Sequence, residues 1–198
     1  MYKHVKRFFD TILAFVGLIL LSPLFLALAI IIKLESRGPV FFRQLRIGKD
    51  EKNFYMYKFR TMKVDAPQLP PNKFNGVMNY ITKSGKFLRK SSIDELPQLI
   101  NIFNGSMSFV GPRPGAAKNE EELRVARRKL NVFSVRPGIT GWAQVNGRDE
   151  LAHNVMEKSK HDGIYVENLS LKLDLLCVLK TLHVVSTLDG YKEGVEDG

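Results

Sequence analysis

The chain has 198 residues, of which 44% are hydrophobic, and its formal net charge is +10. This length suits one domain with a sizeable core, and the charge points to an anionic partner such as nucleic acid, an acidic lipid surface or a phosphorylated substrate. Cys177 is the only cysteine, which excludes an intrachain disulfide and is typical of a reducing cytosolic setting.

The first predicted element is an apolar segment, residues 11–32, that contains 22 residues without a charge. At about 1.5 Å per residue, such a helix could cross a hydrocarbon core of about 30 Å. Ser22-Pro23 lies in its middle, where Pro23 removes a helical hydrogen bond from the Ile19 carbonyl and Ser22 can donate to a backbone carbonyl. Basic residues flank both ends, whereas a spanning helix usually has one basic side. We therefore expect a re-entrant helix, bent at Ser22-Pro23, with both ends on the cytoplasmic face.

Three alternatives to the re-entrant helix stay open. The strongest is a single span kinked at Pro23. A cleaved signal peptide would use Ala27-Leu28-Ala29 as its cleavage site, but its apolar region is too long and continues past that site. A buried helix of a soluble protein would be unusually long.

A basic block follows the apolar segment. Residues 33–63 contain nine Lys or Arg against three acidic residues, and this position favours a membrane surface over nucleic acid. Within the block, residues 40–47 and 54–60 alternate as strands, and the turn-forming residues 48–53 predict an antiparallel β-hairpin. Alternation places Lys58 and Arg60 on one side, as ligand-binding cations or as solvated strand charges.

Two adjacent carboxylates, Asp94 and Glu95, follow a cationic stretch. Pro97 cannot donate a backbone hydrogen bond, so it is expected in the first turn of a helix over residues 94–103. Asp94 would then lie at or beside the N-cap, which favours an ionised carboxylate suited to be a nucleophile or metal ligand for phosphate chemistry. The alternative is a capping box of Ser92 and Glu95, with Asp94 as a helix-start residue only.

The remaining pattern predicts a proline-containing loop, four helices and a glycine-rich segment. The loop is expected over residues 65–79 and the helices over 83–89, 120–130, 149–161 and 171–188. The charged 120–130 helix is expected to be a solvated face, and the apolar 171–188 helix to pack on the core or lie in the membrane interface. Residues 135–148 combine glycines with Arg136 and Arg148, which suits close approach to an anionic ligand. The alternative is a compact connection with Trp142 in the core.

From about Lys6 to Asp189, the chain resembles the small monotopic phosphoglycosyl transferases, also called bacterial sugar transferases. The resemblance rests on ordered motifs: Ser22-Pro23 and residues 38–44, 58–62, 94–98, 107–114 and 136–144. Together with the patterns above it implies an α+β fold with a small antiparallel hairpin and several packed and interfacial helices. Residues 1–36 would form the re-entrant membrane anchor, residues 37–190 a cytosolic catalytic domain continuous with it, and residues 191–198 a short polar tail.

The resemblance implies a monotopic enzyme on the cytoplasmic face of the bacterial plasma membrane. It would transfer a sugar 1-phosphate from a UDP-sugar to polyprenyl (undecaprenyl) phosphate, with Mg²⁺ as cofactor, and release UMP. This is the first membrane step of capsule or exopolysaccharide synthesis. No nucleic acid is expected as a partner of such an enzyme, and no motif specifies the sugar or an oligomeric state.

The resemblance also implies roles for individual residues. Asp94 is expected to form a covalent phosphosugar intermediate, and Asp94 and Glu95 are the candidate metal ligands, with Glu95 also assisting the second substrate. The candidate ligands of the substrate phosphates and of UDP are Lys58, Arg60, Arg89, Arg113, Arg136, Gln144 and Arg148.

Two other functions stay open at this point. In direct transfer through a ternary complex, Asp94 would be a metal ligand only. A membrane-anchored basic protein that binds acidic lipid or nucleic acid would explain the charge and the apolar segment, but it would leave Asp94 and Glu95 without a purpose.

Overall fold

The computed structural model describes residues 2–66, 77–117, 120–147 and 154–187, which form a mixed fold of helices and short strands. In chain order these elements are α1 (Tyr2–Leu20), α2 (Ser22–Glu35), β1 (Phe41–Ile47), β2 (Asn53–Phe59), α3 (Lys83–Lys90), α4 (Gln98–Phe103), β3 (Ser108–Val110), α5 (Glu121–Lys129), β4 (Gly138–Thr140), α6 (Trp142–Gly147), α7 (Val155–Glu167) and α8 (Leu171–Thr187).

The first two helices are bent by 60° where the sequence predicts a break. The Ser22 hydroxyl donates to the Ile19 carbonyl at 2.8 Å, which confirms the expected bond. Pro23 lies in the first turn of α2. Backbone N–H groups in a first turn have no acceptor within their own helix, so proline loses no hydrogen bond of α2 at this position. Within the described residues, no single helix is long and apolar enough to cross a bilayer, but α1 and α2 taken together are.

The predicted β-hairpin is confirmed. β1 and β2 pair antiparallel, with Phe41 opposite Phe59 and Ile47 opposite Asn53. Met56 and Phe59 of β2 are buried on opposite faces of the strand and belong to two different apolar cores. Met56 belongs to the core with Ala14, Leu99, Ile102 and Met107, and Phe59 to the core with Leu28, Ile32 and Leu88.

The glycine-rich segment contains a strand that the sequence did not reveal. β4 pairs in parallel with β3, with Ser108 opposite Gly138, and α6 follows directly. A side chain at Gly138 would collide with the backbone nitrogen of Gly111, so this crossing requires glycine. Trp142 packs partly buried on the core formed by Val110, Tyr165 and Cys177, in line with the alternative of a compact connection.

The predicted helix over residues 94–103 is wrong in its first turn. Residues Ile93–Glu95 form a 3₁₀ turn, and α4 begins only at Gln98 with Pro97 as its N-cap. Pro97 has no N–H to donate to the Ile93 carbonyl, which instead accepts from Leu96 at 3.1 Å. Asp94 therefore does not cap α4. Ser92 has a left-handed backbone and makes no capping bond, so the capping box is absent as well.

Two other helices differ from expectation. The α5 helix is not simply a solvated face, because its Arg127 is buried in an ion pair with Asp162 of α7. The α7 helix, predicted over 149–161, extends to Glu167, and Asn154 caps its start by accepting from the Glu157 amide at 3.0 Å. The predictions over 83–89 and 171–188 are confirmed by α3 and α8. Most of the predicted 65–79 loop, the first residues of the 149–161 helix and the 191–198 tail lie outside the described residues.

Candidate active site

Asp94 and Glu95 lie on a turn that apolar neighbours fix in place. Ile93 and Leu96, on either side of the pair, pack against the core that joins α2, α3 and the end of β2. Asp94 is only 8% exposed. The two carboxylates are thus held partly out of water, next to the helix that the sequence assigns to a membrane.

Glu95 holds two cations. Its Oε1 accepts from Lys58 Nζ at 2.6 Å and from Arg113 Nη2 at 2.7 Å, and Arg113 Nη1 lies 3.5 Å from Oε2. Burial raises the pKa of Glu95, but Arg113 and Lys58 outweigh it and hold that pKa well below its usual range. Glu95 is therefore ionised at neutral pH and fixes both cations beside Asp94.

Asp94 is left without such partners. Its carboxylate accepts no hydrogen bond from any described residue, and the nearest cation, Lys58 Nζ, is 4.0 Å from Oδ2. Burial raises the pKa of Asp94 above its usual value, and the charges of Lys58, Arg89 and Arg113 offset only part of that rise. The sequence prediction that a helix end stabilises this carboxylate is wrong. Asp94 is instead a more basic carboxylate, with oxygens available to form a new bond.

Arg89 completes the site from α3. Its Nε donates to Thr61 Oγ1 at 2.9 Å, and its positive charge acts on Asp94. Across the ranges that the structure describes, its two Nη atoms make no hydrogen bond. Their planar fork is therefore available to an incoming anion such as a phosphate.

The structure does not bring every predicted ligand to the carboxylates. Buried Arg60 donates to the backbone carbonyls of Ser36 and Arg37, at 2.7 and 3.0 Å, and so caps the end of α2. The strand ends at Phe59, so the alternation that pairs Arg60 with Lys58 no longer applies.

Of the other predicted ligands, two donate to backbone carbonyls away from the carboxylates and one lies outside the described residues. Arg136 donates through Nε to the Gly105 carbonyl at 2.7 Å, and Gln144 donates to the Ile139 carbonyl at 3.3 Å. Neither contacts Asp94 or Glu95. Arg148 lies outside the described residues.

The structure adds three residues that sequence reasoning did not place in the site. Thr61 holds Arg89, and half-buried Arg46 donates to the Pro114 carbonyl at 3.2 Å, next to Arg113 in the chain. Gln98 is a buried amide one turn beyond Asp94. Thr61 and Gln98 lie inside the motifs on which the family resemblance rests, and this position could have indicated a role in the site. Arg46 lies outside those motifs, and no local sequence pattern indicates its role.

Asp94 and Glu95 are the residues of this site that could act as metal ligands. Among the described residues, no group of three or more His, Cys, Asp or Glu could hold a metal ion. Mg²⁺ usually takes one or two carboxylates together with substrate phosphates. Asp94, whose oxygens are unbonded, suits this mode better than Glu95, whose oxygens both face cations.

Comparison with known proteins identifies the family of the chain. The family model of bacterial sugar transferases matches residues 1–187. The chain is a bacterial sugar transferase. The predicted resemblance is thereby confirmed, over nearly the whole sequence.

Relatives of this bacterial sugar transferase fall into a longer and a shorter group. It is 42% identical over 188 residues, 94% of the chain and 44% of the relative, to the UDP-N-acetylgalactosamine-undecaprenyl-phosphate N-acetylgalactosaminephosphotransferase of Aeromonas hydrophila. It is 43% identical over 192 residues, 94% of the chain and 40% of the relative, to the UDP-glucose:undecaprenyl-phosphate glucose-1-phosphate transferase of Xanthomonas campestris pv. campestris. It is 38% identical over 189 residues, 96% of the chain and 91% of the relative, to the sugar transferase EpsL of Bacillus subtilis (strain 168). The chain therefore spans less than half the length of the first two and most of the third.

Proposed function

We propose that this bacterial sugar transferase moves a sugar 1-phosphate from a UDP-sugar to undecaprenyl phosphate and releases UMP. The observation that carries the proposal is the unequal treatment of two neighbouring carboxylates. Glu95 binds Lys58 and Arg113, while Asp94, with a raised pKa, accepts no hydrogen bond from the described part of the chain. One carboxylate organises the cations and the other is left free to react.

The charge around Asp94 suits a diphosphate. A carboxylate and a diphosphate repel each other, so attack on phosphorus requires cations at the site. Lys58, Arg89 and Arg113 supply three positive charges against the two negative charges of the carboxylates. The remaining positive charge is available to neutralise the phosphates of the donor.

In the first step, an Asp94 oxygen attacks the phosphorus that bears the sugar. A bond forms between that oxygen and phosphorus, and the bond from phosphorus to the UMP oxygen breaks, so that UMP leaves with the electron pair. Lys58 and Arg113 are held in place by Glu95 and need little reorganisation to stabilise the developing charge. The free fork of Arg89 binds the transferred phosphoryl group.

In the second step, a phosphate oxygen of undecaprenyl phosphate attacks the same phosphorus. Its bond to Asp94 breaks, the carboxylate is regenerated, and the product is undecaprenyl diphosphate-sugar. This division lets a soluble substrate and a membrane-held substrate use one site in turn. Mg²⁺ bound by Asp94, with Glu95 beside it, would supply further charge neutralisation on the diphosphate.

The bent pair of helices supports a re-entrant membrane anchor, with both ends on the cytoplasmic side. Large apolar side chains are exposed along both helices, including Phe8, Phe9, Leu13, Phe15, Leu20, Leu26, Ile30 and Leu34. The α8 helix also exposes apolar side chains, including Leu171, Leu175, Leu179 and Leu182, which suits a helix at the interface. Because α2 packs on the turn before α4, the anchor would hold Asp94 close to the lipid surface, where the acceptor lies.

The names of the relatives support the same substrate classes. Both longer relatives are named for undecaprenyl phosphate and a UDP-sugar, but one for N-acetylgalactosamine and the other for glucose. The proposal therefore extends to UDP-sugars as a class, within capsule or exopolysaccharide synthesis.

The test is UMP release from UDP-glucose and UDP-N-acetylgalactosamine by the chain in vesicles that contain undecaprenyl phosphate. We expect Mg²⁺-dependent release with at least one donor, and a fall of about 100-fold for Arg113→Met because a fixed cation is lost. Arg128→Met is the matched control, since exposed Arg128 pairs with Glu51 on another surface. Salt-sensitive binding of nucleic acid without UMP release from any UDP-sugar would favour the basic binding protein instead.

A further inference from the structure

Gln98 is a buried amide without a hydrogen-bond partner among the described residues. The residue is 1% exposed, its Nε2 is sealed from solvent, and neither amide atom makes a hydrogen bond to a residue in the described ranges. Buried amides in native proteins nearly always have partners, because leaving them unpaired destabilises the fold. Gln98 therefore calls for an explanation other than folding.

Asn101, one turn further along α4, shows what a structural amide looks like here. It is also 1% exposed, but its Oδ1 accepts from the Tyr57 amide at 2.9 Å and its Nδ2 donates to the Tyr55 carbonyl at 2.7 Å. Asn101 thus ties α4 to β2. Two equally buried amides on one helix differ in that one is bonded to the fold and the other is not.

The backbone places Gln98 next to Asp94. Leu96 and Pro97, between the Ile93–Glu95 3₁₀ turn and α4, keep right-handed helical backbone angles. With about 3 residues per turn in a 3₁₀ turn and about 3.6 in an α-helix, residues four apart on such a path are separated by little more than one turn, within reach of a long glutamine side chain. Gln98 therefore lies within reach of Asp94, and among the described residues neither side chain has a hydrogen-bond partner.

We propose that Gln98 is a positioning residue for Asp94. As Asp94 turns toward the donor substrate, the Gln98 amide donates to one carboxylate oxygen and leaves the other oxygen to bond to phosphorus. Because the amide is neutral, it orients the carboxylate and leaves the negative charge of the carboxylate in place. A lysine in the same position would neutralise that charge. The inference rests on the proposed function, because it assigns Gln98 to the step in which Asp94 attacks. Orientation of this kind raises the rate of the bound complex and leaves substrate affinity unchanged.

The test is Gln98→Met, which keeps the unbranched shape and removes the donor. We expect kcat for UMP release to fall about 10- to 100-fold with KM for the UDP-sugar unchanged. The melting temperature should be unchanged or higher, because an unpaired buried amide has been replaced by an apolar group. Gln98→Glu, which places a second carboxylate beside Asp94, should reduce kcat further.

Asn101→Leu is the matched control for a structural amide. It removes two hydrogen bonds to β2, so its melting temperature should fall, and the kcat of its folded fraction should fall less than that of Gln98→Met. Wild-type kcat in Gln98→Met, or a loss of activity that follows a lower melting temperature, would overturn the positioning role.

The same experiment separates this inference from the proposed function. If wild-type protein forms a phosphosugar adduct on Asp94 and Gln98→Met forms it equally fast, the role of Gln98 is wrong and the proposed function stands. If wild-type protein forms no adduct and releases no UMP, the proposed function fails and the role of Gln98 fails with it.

Discussion

At the level of single residues, the site depends on the opposite environments of two adjacent acids. Glu95 has its pKa lowered by Arg113 and Lys58 in spite of burial, whereas burial dominates at Asp94 and raises its pKa. Sequence neighbours differ so strongly because the 3₁₀ turn points their side chains in different directions. One acid is a fixed anchor for cations, and the other is the basic carboxylate to which the proposed mechanism assigns the attack on phosphorus.

Lys58 lies between the two acids, 2.6 Å from Glu95 and 4.0 Å from Asp94, so its replacement should change how activity depends on pH. Asp94 attacks only when ionised, so activity should rise as pH rises through its pKa. Lys58 lowers the pKa of Asp94, and Lys58→Met should raise it. At a given low pH, less of Asp94 is then ionised. We expect the acid limb of the kcat/KM profile for UMP release to move to higher pH, with activity at pH 7 reduced about 10- to 100-fold.

The control for this prediction is Lys52→Met, on the same hairpin but exposed. It should leave the acid limb unchanged. An acid limb that stays in place in Lys58→Met, or that moves equally in both variants, would show that Lys58 does not tune Asp94.

Sequence reasoning named the cations beside Asp94 but also predicted ligands that the structure places elsewhere, for a physical reason. Asp94, Glu95, Lys58, Arg89 and Arg113 could be predicted because phosphate chemistry needs these residue types and short motifs contain them. Arg60, Arg136 and Gln144 are just as polar, but each donates to a backbone carbonyl. Such a partner exists only once the chain is folded, and no sequence pattern marks it.

Among the elements, the C-terminal end of α2 depends on Arg60. Its guanidinium donates to the carbonyls of Ser36 and Arg37, directly after the helix, and at 3.5 Å to the Ile32 carbonyl in the last turn. Arg60→Met should lower the free energy of unfolding by about 1–3 kcal/mol, with KM for the UDP-sugar unchanged. Thermal unfolding in detergent, together with UMP-release kinetics, measures both. Arg37→Met, at an exposed neighbour, should change neither. A raised KM for the UDP-sugar at unchanged stability would contradict this role and indicate that Arg60 binds substrate.

The contact between α5 and α7 depends on the ion pair of Arg127 and Asp162. Arg127 Nη2 lies 2.6 Å from Asp162 Oδ2, and both side chains are buried. Arg127→Met leaves a buried carboxylate unpaired and should cost about 3–5 kcal/mol in unfolding free energy. Arg127→Met with Asp162→Leu should recover most of that loss. Equal destabilisation by the single and the double variant would contradict this assignment.

The elements that could be predicted are those whose signals are local. The hairpin and α8 carry their own periodicity and turns, so their bounds agree with expectation. The pairing of β3 with β4 joins three-residue strands about 30 positions apart, and such short strands carry no pattern of their own. The buried face of α5 was missed because charged residues usually face solvent, and its partner lies on another helix.

For the molecule as a whole, the proposed re-entrant anchor depends on the 60° bend between α1 and α2. Straightening the pair with Ser22→Leu and Pro23→Leu would give one helix over residues 2–35, about 50 Å long and sufficient to cross a bilayer. We expect a cysteine at position 3, in a Cys177→Ser background, to be labelled from the cytoplasmic side in the bent protein. It should be labelled from the opposite side in the straightened one.

If position 3 is labelled from the side opposite the cytoplasm in both proteins, the re-entrant anchor is contradicted. A cysteine at exposed position 52 of the hairpin serves as the control, and it should remain cytoplasmic in both.

The most direct test of a covalent role for Asp94 is the mass of the protein after incubation with a UDP-sugar and Mg²⁺ in the absence of undecaprenyl phosphate. We expect the mass to increase by one sugar phosphate, located on the peptide that contains Asp94, with one UMP released per adduct and no adduct in Asp94→Asn. An unmodified wild-type protein that nevertheless completes transfer when undecaprenyl phosphate is added would contradict it and indicate direct transfer in a ternary complex.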